Sequence, residues 1–142
     1  MKKIAALAAA LVLIGCVSVS LAEPVTISAE TYPLYSLAKL VAGDSAEVVL
    51  DGGENAAIVF CVGSREAAEH QAVVSVTELL AIQGEDTDAL TIPVNCMIMA
   101  SYLADALGHA DPGGAAAYQA NLSALVTELS ELDLALCAAV TA

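Results

Sequence analysis

"VTISAETYPLYSLAKLVAGDSAEVVL", residues 25–50, reads as strand, helix, strand, and that order decides the fold. "PVTIS", 24–28, alternates in strand fashion and is rich in β-branched residues. Leu34, Leu37, Ala38 and Val41 recur at i, i+3, i+4 and i+7, which predicts a helix with one buried face. Gly43 is placed to stop it, since a left-handed residue suits a helix C-terminus. "AEVVL", 46–50, reads as the second strand. Two of the four tyrosines, Tyr32 and Tyr35, lie around Pro33, which fixes the backbone where strand turns into helix. In an α/β sheet that turn lies at the carboxyl end of the strands, where ligand clefts form, so both rings are expected to flank a cleft mouth.

Toward the C-terminus the same alternation continues. "DGGEN", 51–55, is a turn cluster. "AAIVFCV", 56–62, is a continuous apolar run, as a strand buried on both faces requires. Gly63-Ser64 is expected to open a short helix through about His70, and "AVVSV", 72–76, to form a fourth strand. Ser75 and Glu78 have capping-box spacing. After the acidic loop "QGEDTDAL", 83–90, a helix is predicted from Pro93 to about Leu107, with Cys96, Met99, Tyr102, Leu103, Ala106 and Leu107 on one face and Gly108 as its stop. Asp111-Pro112 has the form of an N-cap and first-position pair for a last long helix, whose stripe is Leu122, Leu125, Val126, Leu129, Leu132, Leu136 and Val140. The predicted class is α/β: a small, mostly parallel sheet flanked by helices, ending in a long C-terminal helix.

Toward the N-terminus the chain reads as an export signal. Met1-Lys2-Lys3 is a basic start, and Ile4 to Ile14 is an apolar run too short to span a bilayer. Two processing routes are open. Ser20-Leu21-Ala22 suits an ordinary signal peptidase, giving a leader of 1–22 and a domain of 23–142. Leu13-Ile14-Gly15-Cys16 resembles a bacterial lipobox, in which Cys16 would be lipidated. The domain then sits in the periplasm or on the outer face of the cytoplasmic membrane.

Without the leader, Lys39 and Arg65 are the only basic side chains against 17 acidic ones, formally −15. Nucleic acid is excluded as a partner, because its phosphates would be repelled. An acidic, solubilising surface explains the charge by itself, and a cation ligand is compatible with it. Cys61, Cys96 and Cys137 have no CxxC spacing and read as small buried hydrophobes. There is no GxGxxG, P-loop, GxSxG or HExxH, and no local sequence supports an enzyme. Asp51 and Glu54 are spaced so that they could form a carboxylate pair in the tight turn, but no apolar pocket is indicated to tune either one. His70 and His109 are each expected to end a helix, where an imidazole complements the dipole. Glu85, Asp86 and Asp88 lie close together in the acidic loop, an oxygen-ligand set suited to a hard cation, although their spacing is not that of an EF-hand.

The order of these segments resembles the N-terminal lobe of the metal-binding solute-binding proteins of zinc and manganese ABC transporters. Tyr32, Pro33, Leu34, Tyr35, Ala42, Gly43 and Asp44 match the family's opening. "AAIVFCVG" resembles its buried strand. Pro93, Asn95, Ala104 to Leu107, Asp111, Pro112, Tyr118, Ala120 and Asn121 fit its last lobe helix and the helix, here about 111–142, that connects two lobes. The resemblance implies Zn or Mn as transported ligand, a membrane permease as partner, and a second lobe. It also exposes departures. "DGGEN" stands where the family's Pro-His-x-x-Glu-Pro segment brings a histidine, and Asp88 stands where a second histidine belongs. Asp88 is the one residue at a matching position able to bind metal, and His70 and His109 match none. A lobe with degenerate metal binding follows as one expectation. A non-metal-binding exported module that associates, for instance as a homodimer, through its C-terminal helix is the other.

Overall fold

β1 (Thr26–Ala29) is an inner strand because the chain leaves it on one side and returns on the other. α1 (Tyr32–Ala42) carries the chain to β2 (Glu47–Leu50), parallel to β1. The chain then crosses back to β3 (Ile58–Cys61) on the far side of β1, and β4 (Ala72–Ser75) follows. The order is β2-β1-β3-β4, all parallel. α2 (Val76–Leu79), a 3₁₀ turn (Thr87–Thr91), α3 (Pro93–Ala110) and α4 (Ala115–Thr141) complete the fold. The structure, a computed structural model, describes residues 23–81 and 87–141. The predicted class holds: a parallel sheet flanked by helices with a long helix last.

One apolar cluster holds it together. Ile27 and Ala29 of β1, Ile58 and Phe60 of β3 and Val74 of β4 meet Leu34, Leu37, Ala38 and Val41 of α1. Met99, Leu103 and Leu107 of α3 close it, with Tyr118 and Leu125 of α4. Each large side chain fully buried here contributes about 2 kcal/mol by area. The alternate residues Thr26, Ser28 and Val59 face the irregular connections instead. The α1 stripe read from the sequence is buried throughout. Gly43 does stop α1, at φ 57°, and a Cβ there would sit 2.7 Å from Asn121 Nδ2. That amide donates to the Val41 carbonyl at 3.1 Å, which clamps α4 over the end of α1.

Several expectations fail, each for a physical reason. No helix forms over 63–70; the stretch is irregular and ends in a turn. Arg65, Glu66, Glu69 and His70 are all exposed, so a short helix there would bury no apolar face to offset its nucleation cost. Gly108 does not stop α3, which runs on to Ala110 because Leu107 stays buried and the Asp111 N–H caps the Leu107 carbonyl at 2.7 Å. Tyr102 is exposed, and Ala100 and Ala104 take the buried positions, since close approach of α3 to its neighbours favours small residues. Asp111-Pro112 precedes α4 by a turn, with Asp111 Oδ1 accepting from the Gly113 N–H at 3.1 Å. The α4 stripe is used only at its start. Leu125 is buried and Leu122 and Leu129 pack on the cluster, but Leu132, Leu136 and Val140 are exposed because α4, with 27 residues, outruns the 18-residue α3 it packs against. Cys137, expected inside, is exposed for the same reason, whereas Cys61 is buried and Cys96 half-buried.

Candidate functional site

The carboxyl edge of the sheet is where the connections diverge, with β2 and β3 on opposite sides of β1. Glu30 leaves β1 there. Its backbone N–H bonds the Phe60 carbonyl at 2.9 Å, and its Oε2 accepts from the Val62 N–H at 2.7 Å. The two strand exits at the divergence are thus tied by a charge-assisted bond. Thr31 caps α1 without a side-chain bond, and its Oγ1 is buried without a partner among the described residues. Tyr32 is 69% exposed and stacks on Tyr35, with ring centroids 6.0 Å apart and planes 24° apart. Lys39 Nζ lies 6.0 Å over the Tyr35 ring. An aromatic pair therefore stands at this edge, with Lys39 further along α1 behind it.

Cys61 ends β3. Its thiol donates to the Gly63 carbonyl at 3.0 Å. Burial, with the Glu30 and Glu78 carboxylates adding to it and Arg65 opposing, pushes its pKa up to about 11. The sulfur is a thiol at neutral pH, which suits neither a nucleophile nor a thiolate ligand. Ser75 Oγ at the end of β4 accepts from the Glu78 N–H at 3.4 Å, the capping geometry expected.

The "DGGEN" turn follows β2. Asp51 has φ 43°, and its N–H bonds the Ala29 carbonyl at 2.8 Å. Gly53 lies so close to β1 that a Cβ would fall 2.5 Å from the Ser28 Cβ. Gln71 Nε2 donates to the Gly53 carbonyl at 3.2 Å and holds the turn down. A cavity of about 850 Å³ opens here, lined by Ser28, Asp51, Glu54, Asn55 and Arg65 among others. Its polar groups are varied, and they do not converge as a metal shell.

Asp88 lies exposed in the 3₁₀ turn, where the Thr91 hydroxyl donates to its carbonyl at 2.7 Å. Asn95 Nδ2 bonds the Ala89 carbonyl and the Cys96 thiol bonds the Leu90 carbonyl, so the turn rides on α3. Glu85 and Asp86 lie outside the described residues, as does Cys16. Among the described residues, no three His, Cys, Asp or Glu side chains come close enough to hold a metal ion. His70 does not end a helix; it sits in the turn before β4, while His109 is in the last turn of α3. The fold brings both to one groove with Asp105 and Tyr102, a juxtaposition that no spacing in the sequence signals.

The family model described as "Zinc-uptake complex component A periplasmic" (ZnuA) matches residues 52–142. No curated protein matches the chain significantly by sequence. Solved structures do match. The metal-dependent lipoprotein YcdH from Bacillus subtilis is 15% identical with a TM-score of 0.67, over 77% of this chain and 53% of that one. Zn(II)-bound AdcA from Streptococcus pneumoniae is 18% identical with a TM-score of 0.64, over 79% and 32%. The solute-binding protein FpvC in complex with Ni²⁺ from P. aeruginosa is 20% identical with a TM-score of 0.63, over 78% and 52%. At these identities the structural likeness is one of fold, and the chain spans about half or less of the length of these structures.

Proposed function

The chain belongs to the periplasmic zinc-uptake component A family, and from that premise we propose that it is an exported solute-binding lobe in metal-ion delivery to a membrane permease. Zn²⁺ or Mn²⁺ is the cargo of this reading. The lobe supplies a parallel sheet, a carboxyl edge flanked by Tyr32 and Tyr35, and a long helix leading away. It does not supply a full ligand shell by itself. The observation that carries this is the pair of positions where histidines are expected: the turn after β2 holds Asp51 and Glu54, and the 3₁₀ turn holds Asp88. Carboxylates without imidazole favour hard cations and weak binding unless more ligands join them. A second lobe is the natural source of those ligands.

Calorimetry of the chain with Zn²⁺ and with Mn²⁺ tests the reading. Saturable Zn²⁺ or Mn²⁺ binding, weakened in Asp88→Ala, is expected. No binding tighter than roughly millimolar, with Asp88→Ala making no difference, would overturn the metal role of this chain. Export supports the same assignment through the leader 1–22, with Cys16 as the alternative anchor. Among the described residues no helix is long and apolar enough to cross a membrane.

A second reading rests on α4. Leu132, Leu134, Leu136 and Val140 are 49, 70, 47 and 87% exposed. A lobe without metal that associates through this helix would self-associate reversibly in sedimentation.

A further inference from the structure

We propose that the free edge of β4 accepts an added strand from an extended, basic segment of a partner protein. β4 pairs with β3 alone and is an outer strand of the sheet. The Ala72 N–H bonds the Ala57 carbonyl at 2.9 Å, and the register pairs Ile58 with Ala72 and Phe60 with Val74. Ala72 and Val74 therefore direct their backbone groups to β3. Alternation along a parallel strand then turns the N–H and carbonyl of Val73 outward, to the side where β4 has no neighbouring strand. The usual protections of an open edge are missing: "AVVS" carries no charge, no lysine and no proline.

A groove of about 670 Å³ runs beside it. Ala57, Ala72, Val73 and Val74 all line it, so the groove follows β4, the last strand in the sheet order. Tyr102 and Ala106 of α3 and Leu79 of α2 supply an apolar wall for alternate side chains of an incoming strand.

Charge selects the partner. Asp105 is the one carboxylate lining the groove and no Lys or Arg lines it. Its Oδ1 accepts from Gln119 Nε2 at 3.3 Å, which fixes the carboxyl group in place. The whole chain carries −13, so a Lys- or Arg-bearing segment is drawn in.

A fluorescein-labelled peptide of alternating Val and Lys, followed by anisotropy, tests this. Saturable binding is expected. Val73→Pro removes the outward N–H without touching the β3 ladder, and N-methylating the peptide's alternate amides removes the matching donors. Each should weaken binding about tenfold or more, the worth of one or two backbone bonds. Asp105→Lys should weaken it as well. Circular dichroism checks that Val73→Pro is folded; if it is not, the N-methylated peptide with the unaltered protein decides. The proposal is overturned by absence of saturable binding, by equal binding of the N-methylated peptide, or by equal binding of a Gly–Lys peptide of the same charge. Dimerisation abolished by Val73→Pro would also overturn it, by making a second copy the occupant.

Discussion

Glu30 Oε2 accepts from the Val62 N–H at 2.7 Å, so the exits of β1 and β3 are joined where the sheet's connectivity diverges. An unpaired Val62 N–H at this partly buried position is costly. Glu30→Ala should lower stability by about 1–2 kcal/mol, read from urea midpoints, and Glu30→Gln by less because an oxygen acceptor remains. The same substitutions act on Cys61. Burial dominates that thiol's raised pKa and the Glu30 carboxylate adds to it. Removing the charge should bring the thiolate titration down, yet leave it above the ordinary cysteine range.

Alkali should loosen the fold through two buried acids. Cys61 is pushed up to about 11 and Tyr118 to about 12, the tyrosine by burial first and then by its bond to Asp111. In each case the folded chain holds its proton more tightly than the unfolded chain. The stabilising contribution is therefore complete below the unfolded pKa and is lost as pH rises through the folded one. The windows run from 9.0 to about 11 for Cys61 and from 10.0 to about 12 for Tyr118. Melting temperature should fall across them. Tyr118→Phe should flatten the upper part of that decline, while costing about 1 kcal/mol at neutral pH for the lost 2.8 Å bond to Asp111 Oδ2.

The strand–helix–strand opening was legible because one rule accounts for it. Leu34, Leu37, Ala38 and Val41 repeat at helical period, and all four are buried. The continuous run at Ile58–Cys61 was legible likewise, because a strand covered on both faces leaves no polar alternation. Failures gather where tertiary contact decides. The 63–70 stretch has helix-forming alanines and Glu66 but no apolar face to bury. Gly108 is a stop by propensity, yet Leu107 and the Asp111 cap carry α3 past it. Leu132 and Leu136 have the period of buried residues, and only the shorter length of α3, on which α4 packs, leaves them exposed. The groove between His70 and His109 joins residues 39 apart in sequence, which no local pattern encodes.

Gly43 and Asn121 should behave as a coupled pair. Gly43 has φ 57°, and a Cβ there would press on Asn121 Nδ2 at 2.7 Å. Gly43→Ala should cost roughly 1–3 kcal/mol from the left-handed backbone and the contact together. Asn121→Ala alone loses the 3.1 Å bond to the Val41 carbonyl, about 1 kcal/mol. In the double variant the contact is gone, so its loss should be smaller than the two single losses added. Additivity in denaturant melts would show that the strain is backbone alone.

Thiol reactivity should rank the cysteines by exposure. Cys137 is exposed, Cys96 half-buried with a raised pKa caused by burial, and Cys61 buried. Under iodoacetamide in the native state, Cys137 should be alkylated first, Cys96 more slowly, and Cys61 only once denaturant opens the sheet. Peptide mass mapping over time checks the order. Early labelling of Cys61 would mean that β3 opens locally.

The distal part of α4 separates a helix that stabilises the lobe from one that serves another surface. From Leu134 to Thr141 no side chain is charged, and Leu134 and Val140 are 70 and 87% exposed. They make no contribution to the apolar cluster, which α4 enters only through Tyr118, Leu122, Leu125 and Leu129. Leu134→Gln with Val140→Gln should therefore change folding stability by no more than about 0.5 kcal/mol. Leu125→Ala, by contrast, should cost about 2–5 kcal/mol by opening a cavity under α4. The paired comparison also weighs the two functional readings. If the exposed residues serve self-association, the double glutamine variant should sediment as a monomer where the unaltered chain does not. If they serve a second lobe, both proteins should sediment alike, and the variant should lose only the affinity of this lobe for that one.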